Sequence, residues 1–440
     1  MNEKPNIILF ITHDQGQFLG CYNTPQTPNS LNTPNLDKLA ENGVRFTNHF
    51  CTAPQCSPSR GSIQTSLYPH QNGLMGLVNR GWNLPVENIT LPKFLKNKGY
   101  STHLIGVQHE ALKPVTLGYD TMSERFFSKK GVEILFNYNC KYVEDHFVRF
   151  LKEHKNDDKP LYLSIGVEEV HRPFKIWGDP VDPSTVKVPP FLPNHDIIKK
   201  ELSEFYGAIN NVDVTIGKII NMLQETSLNE NTLFIFTTDH GSAFPRAKCT
   251  LYDPGIRTAL IMHKDDSELF SGGKVIKSLL SNIDLLPTIL ELIGAKIPDD
   301  IEGKSFLSIL RGEKNAIRKE IFIEKTFHET YDPIRGIRTQ RYKYIRNFEK
   351  LETLYQIPAP VLMAPSGKLM KDIYNTPRLD EELYDLKIDQ NETNNIIQNP
   401  EYADIAENLR ERLNLWLKTT NDPILNGRIY PQPQVGYKKK

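Results

Sequence analysis

Residues 6–16 read NIILFITHDQG, and residues 232–241 read TLFIFTTDHG. Each opens as an unbroken apolar run, rich in β-branched and aromatic side chains, and runs into an aspartate. A short run without polar alternation suits a strand buried on both faces of a mostly parallel sheet. HLIGV (103–107), PLYLSIGVE (160–168) and TALIMH (258–263) share the pattern. Helical spacing lies between them, in TPNLDKLAENG (33–43), LPKFLKNKGY (91–100), YGAINNVDVTIGKIINMLQE (206–225) and NIDLLPTILELIG (282–294). The alternation predicts an α/β fold, a large mostly parallel mixed sheet sandwiched by helices, over residues 1–310. Beyond it, IFIEKTF (321–327), GIRTQRYKYIRNF (336–348) and EELYDL (381–386) are strand-like and close in sequence. They predict a smaller antiparallel-sheet α+β domain over residues 311–440, closed by a helix in EYADIAENLRERLNLWLKTT (401–420).

The 440 residues are too many for one ordinary domain, and 39% apolar content supplies a real core. Lysine plus arginine balances aspartate plus glutamate at 53 each. That gives no global electrostatic case for nucleic acid or an anionic membrane, so an anionic substrate needs a local cationic pocket. Five cysteines, at 21, 51, 56, 140 and 249, are too few and too scattered for a disulfide framework or a zinc site. The N-terminus lacks the basic segment and cleavage site of a signal peptide. No apolar run reaches the roughly 18 residues a membrane helix needs. The expectation is a cytoplasmic chain, or a periplasmic or secreted one if a leader has been removed. Oligomeric state is not legible.

Ligands of open α/β sheets gather beyond the carboxyl ends of the strands. Polar residues stand at several such ends: Asp14, His109, Glu168 with His171, and Asp239 with His240; Lys248 follows shortly after. Each alone has a plain structural use, as a helix cap or a buried hydrogen-bonding group. Together they could hold a hard divalent cation and handle protons.

The stretch CTAPQCSPSRGSIQTSLYPHQNG (51–73) adds Cys56, Pro58 and Arg60, then Thr65 followed by Ser66. It resembles the signature of the sulfatase family: Cys, any residue, Pro, any residue, Arg, then Thr-Gly a few positions on. The residues from TPNLDKLAENG to the signature, VHRPF (170–174), TTDHG (237–241), KCTLYDPGIRTALI (248–261) and ELYDLKIDQNETNNI (382–396) resemble further segments of that family. The likeness spans nearly the whole chain and implies an alkaline-phosphatase-like fold.

The resemblance implies a nucleophile made from Cys56 by a formylglycine-generating maturation enzyme. In the family, the hydrated aldehyde offers one hydroxyl to attack sulfur and a second to expel sulfate. It further implies a catalytic set of Cys56, Arg60, His109, His171 and Lys248. The implied metal set is Asp14, Gln15, Asp239, His240 and Cys56, with Ca2+ expected and Mg2+ or Mn2+ as alternatives. Two departures stand out. Gln15 replaces the second of two adjacent aspartates, and Val107 replaces a lysine before His109. Lys248 then carries more of the sulfate-side charge. His171 is favoured over His109 as the proton donor to the leaving group.

HDQGQFLGCYN (13–23), YPHQNGLMGL (68–77) and YDPIRGIRTQRYKYIRNF (331–348) resemble most the branch containing the heparan N-sulfatases. The implied substrate is a sulfated sugar, of N-sulfoglucosamine type or another sulfated glycan fragment. His328, Glu329, Asp332 and Arg335 are candidates for reading it; ion pairing within a strand is the structural alternative. Two other functions stay open: a phosphodiesterase or phosphonate monoester hydrolase of the same superfamily, and a non-catalytic glycan-binding relative.

Overall fold

The computed structural model describes residues 4–24, 29–123, 138–154, 158–226 and 228–431. Its strands are β1 (Asn6–Thr12), β2 (Val44–Phe46), β3 (His49–Phe50), β4 (Ser101–Gly106), β5 (Thr121–Met122), β6 (Leu161–Gly166), β7 (Thr232–Thr238), β8 (Leu260–His263), β9 (Lys274–Ile276), β10 (Leu280–Ser281), β11 (Glu320–Phe327), β12 (Tyr331–Thr339), β13 (Tyr342–Asn347) and β14 (Glu381–Asp385). Eight of them form one sheet in the order β5-β4-β6-β1-β7-β8-β2-β9. From β5 to β7 all neighbours are parallel; β8 runs antiparallel to both β7 and β2. At the centre, Ile7 of β1 pairs with Tyr162 of β6 and Leu233 of β7.

The lack of alternation in β1 has a direct cause: both faces are covered. Ile7, Leu9 and Ile11 pack with Leu91, Leu95 and Leu286 on one side. Ile8 and Phe10 pack with Phe147, Val212 and Ile216 on the other. Helices Leu91–Asn97 and Leu285–Leu292 thus flank one face, and helices Cys140–Glu153 and Asp196–Glu225 the other. The last of these begins ten residues before the expected start at 206. His195 caps it by accepting from the Ile197 amide, and Ile198 and Leu202 extend its buried stripe.

The second sheet orders β11-β12-β13-β14, every neighbour antiparallel. The stretch GIRTQRYKYIRNF is not one strand but the hairpin of β12 and β13, because Thr339 Oγ1 accepts the amides of Arg341 and Tyr342 in the turn. Helix Ala403–Thr419 lies on this sheet, with Trp416 stacked on Phe322 at 4.8 Å. Its Leu413 and Leu417 join the cluster that contains Ile7 and Leu9, so the two sheets share one apolar core. Among the described residues no helix is long and apolar enough to cross a membrane.

Candidate active site

The carboxyl ends of β1, β4, β6 and β7 open into one cleft. It is lined by His13, Asp14, Cys56, His109, Glu168, His171 and Lys248, with His328, Glu329 and Arg80 on the far wall. Cys56 starts helix Cys56–Thr65, all of whose residues are buried. Pro58 sits in its first turn, where no helical hydrogen bond needs its missing N–H. Arg60, one turn on, points the same way as Cys56. Its Nε donates to Asp239 Oδ2 at 3.1 Å and its Nη2 to the Thr12 carbonyl at 3.3 Å. The helix ends at Ser66 in the left-handed region, φ 59°, where the family pattern has glycine. Ser66 Oγ donates to the Ile283 carbonyl at 2.6 Å, which holds the residue there.

Asp239 is fixed from several sides. Its Oδ1 accepts the amides of Asp14 at 3.0 Å and His240 at 2.9 Å. Asp14 itself has φ 51°, which turns the chain out of β1. Around Cys56 Sγ stand His240 Nε2 at 3.4 Å, Asp14 Oδ1 at 3.7 Å and Lys248 Nζ at 3.8 Å. Lys248 also donates to both Asp14 oxygens, at 2.8 and 2.6 Å. Burial pushes Asp14 toward the neutral acid, but Lys248, His171 and His240 outweigh it and hold the carboxylate well below its usual range. Burial pushes the Cys56 thiol well up, and Lys248 does not compensate. A neutral thiol is a poor nucleophile, so Cys56 unaltered is ill suited to attack.

Burial biases two of the cleft's imidazoles, His109 and His171, toward the neutral form. Burial, with Arg60 and His171 adding to it, takes His109 down to about 3. Burial likewise lowers His171, against the pull of Asp14. His171 Nδ1 is hydrogen-bonded to the Arg172 carbonyl at 2.7 Å, and Nε2 stands 3.9 Å from Asp14 Oδ2. Its side chain is 24% exposed, so Nε2 is reachable from the cleft. At the mouth, Arg80 pairs with Glu329 at 3.3 Å, and Glu329 also accepts the Ala359 amide at 2.8 Å.

Of the residues picked out by sequence, Asp14, Cys56, Arg60, His109, His171, Asp239, His240 and Lys248 converge here. His328 and Glu329 line the wall. Asp332 and Arg335 do not reach it. Asp332 is clamped between Lys325 at 2.7 Å and Arg378 at 2.6 Å. Arg335 pairs with Asp422 at 2.6 Å and Glu324 at 3.4 Å, fully buried. Their charges face partners in the sheet and neighbouring loops, and are spent there. Gln15 Nε2 donates to the Phe18 carbonyl at 3.3 Å, its Oε1 is buried without a hydrogen-bond partner, and the residue is not among those lining the cleft. Sequence reading missed His13 and Arg80. His13 ends up beside Asp14 because the left-handed turn at Asp14 breaks the strand's alternation, which would otherwise send neighbours to opposite faces.

The ligand atoms of Asp14, Cys56 and His240 lie within 4.8 Å of one another, as do those of His13, Asp14 and Asp239. A second cavity beside Gly16 is different: its Arg257 and Arg338 are both paired with Asp253.

The fold and this cleft are those of an α/β enzyme whose site lies at the carboxyl edge of a mostly parallel sheet. Residues 5–295 match the sulfatase family, and the chain belongs to it. Residues 244–376 match the C-terminal region of N-sulphoglucosamine sulphohydrolase. The chain is 30% identical to an ulvan-active sulfatase of Formosa agariphila, over 98% of this chain and 83% of that one. It is 26% identical to the human N-sulphoglucosamine sulphohydrolase, over 98% and 94%. A protein solved with its substrate D-glucosamine-2-N,6-O-disulfate superposes with TM-score 0.74 at 21% identity, covering 97% of this chain and all of that one. A 2-O GAG sulfatase gives 0.73 at 19% identity, covering 98% and 96%. These two likenesses carry the fold.

Proposed function

We propose that this enzyme removes sulfate from a sulfated sugar, of N-sulfoglucosamine type first among the candidates, by way of formylglycine made from Cys56. The observation that carries the reading is the convergence on Cys56 Sγ of one cation, one carboxylate and one imidazole within 3.8 Å, around a thiol too basic to react as it stands. Asp14, Asp239, His240 and the residue at 56 would hold a divalent cation. The donor chemistry fits. His240 Nδ1 is hydrogen-bonded to the Gly241 carbonyl at 2.8 Å, which leaves the Nε2 lone pair against Asp14 Oδ1 at 2.9 Å. Two acceptors facing each other call for a cation between them. When present, the hydrated aldehyde supplies a hydroxyl nucleophile with a built-in route for releasing sulfate, and the cation supplies positive charge.

The chain's own residues supply the rest. Lys248, itself buried, gives the anionic sulfate a fixed positive charge where screening by solvent is reduced. Arg60, locked on Asp239, keeps the floor of the site rigid. His171, with Nδ1 hydrogen-bonded to the Arg172 carbonyl, presents Nε2 to the departing group. For a sulfamate that proton is decisive, because an amine anion is a very poor leaving group. Bound sulfate raises the His171 pKa toward the working range by adding negative charge beside it. Arg80 and Glu329 at the mouth suit a sugar's hydroxyls or its charged substituents. The relatives named for N-sulphoglucosamine and ulvan support this substrate class.

Release of inorganic sulfate from N-sulfoglucosamine, O-sulfated glucosamines and sulfated ulvan fragments tests the reading, with phosphodiesters and phosphonate monoesters as controls. Turnover of a sulfated sugar is expected. Preference for a phosphorus ester, or sugar binding without turnover in protein that carries the aldehyde, overturns it.

A further inference from the structure

The cavity beside Gly16 has a volume of about 270 Å³, near the lower end of small-molecule pockets at about 300 Å³. It shares no lining residue with the cleft at Cys56. Asp253 in its wall takes three cations: Arg257 at 2.6 Å, Arg338 at 2.9 Å and Lys343 at 2.7 Å. Among the described residues one other carboxylate pairs with this group, Glu392, 2.5 Å from Lys343. Three cations against two carboxylates leave one positive charge over, which is costly in a largely buried place. Burial pushes the Glu392 carboxyl up, against the pull of Lys343, and deepens the deficit. Both guanidiniums lie over the Phe50 ring, Arg257 at 4.9 Å and Arg338 at 4.3 Å, so they are held in place. Arg257 gives Nη1 to the Thr47 carbonyl and Asn48 Oδ1, and Nη2 to Asp253; among the described residues nothing accepts from its Nε.

We infer that this cavity is a second binding site, taking one oxyanion, a sulfate or a carboxylate, either free or carried on a sugar. Guanidinium groups match such oxyanions in shape and charge. The single charge left over matches the single charge of a carboxylate or a sulfate ester; a neutral ligand leaves it unbalanced. The rest of the lining suits a small polar molecule with an apolar side. Gln340 and Asn391 bring side-chain amides, which both donate and accept, and Phe18 and Phe191 bring aromatic surface. The inference needs nothing from the chemistry at Cys56.

The full chain is titrated calorimetrically with glucuronate, with inorganic sulfate and, as the uncharged control, with glucose. None of these carries a sulfate ester, so no turnover intrudes. At least one anion is expected to bind, and glucose at least about tenfold more weakly. Glucuronate about tenfold tighter than sulfate assigns the site to a sugar-borne oxyanion; sulfate equal or tighter assigns it to the free ion. Gln340→Glu combined with Asn391→Asp adds negative charge to the cavity wall and should weaken the anion at least about tenfold. Gln340→Lys, at an exposed position, should tighten it, and keeps the test open if the double variant fails to fold. Lys248→Met removes the cation of the cleft and should leave this binding unchanged. No anion binding, glucose bound as tightly as the anions, or binding that follows Lys248 and not the residues at 340 and 391 overturns the inference, and none of these outcomes bears on the sulfatase reading.

Discussion

The ammonium of Lys248 sits 2.8 and 2.6 Å from the two carboxylate oxygens of Asp14 and 3.8 Å from Cys56 Sγ. One side chain therefore neutralises a buried acid and faces the reacting position. Lys248→Met should lower kcat/KM by about 10²–10³, as loss of one preorganised charge does. It should also lower the melting temperature, since Asp14 would stay buried without its partner. Steady-state kinetics and a thermal scan read both; an active and equally stable variant would remove Lys248 from the sulfate site.

Cys56→Ala should abolish turnover with the fold intact. The change trims one atom at the first position of a helix, where alanine is well tolerated. Circular dichroism should superpose on the parent. Turnover surviving in this variant contradicts a nucleophile derived from Cys56.

His171→Gln should matter in proportion to the leaving group. With a sulfamate or a sugar sulfate the loss should be about 10²–10⁴, and with an aryl sulfate whose phenol leaves unaided it should be small. A loss independent of leaving group would make His171 a binding residue and move the proton to another donor.

Arg335 and Glu329 were paired by sequence as readers of substrate, and the structure separates them. Arg335→Ala should cost roughly 3–5 kcal/mol of stability, because it strands the buried Asp422 and Glu324. Glu329→Gln, at the cleft mouth, should leave stability within about 0.5 kcal/mol and change KM. Denaturant titration of both variants with a KM measurement on the second checks the division.

Glu169 gives a pH dependence away from the chemistry. Burial raises its carboxyl to about 7, outweighing the hydrogen bond accepted from the Cys140 amide. The folded state therefore holds the proton more tightly than the unfolded one. That stability is fully present below the unfolded pKa of about 4.3 and is lost as pH rises through 7. Glu169→Gln should match the parent near pH 5 and exceed it near pH 8.5, by at most about 3 kcal/mol. A constant difference across that range would show that Glu169 does not titrate there.

Much of this was legible because burial on both faces leaves a run no polar alternation. That is why Asn6–Thr12 and Thr232–Thr238 could be read as central strands, and why Asp14 and Asp239 beyond them could be placed at one sheet edge. The sense of β8 could not be read, since an antiparallel strand inside a sheet covered on both sides carries the same apolar run. His13 escaped because side-chain direction at a strand end depends on one backbone angle at Asp14, which composition does not encode. Asp332 and Arg335 escaped for another reason. A charged residue on a strand looks the same whether it faces a ligand or an internal counter-ion such as Arg378 or Asp422.

The most direct test of the central claim is the mass of the peptide carrying Cys56, from active protein purified from its own host. The expected result is exchange of the thiol's sulfur and two hydrogens for one aldehyde oxygen, in proportion to specific activity. Fully active protein whose Cys56 is an unmodified thiol would contradict it.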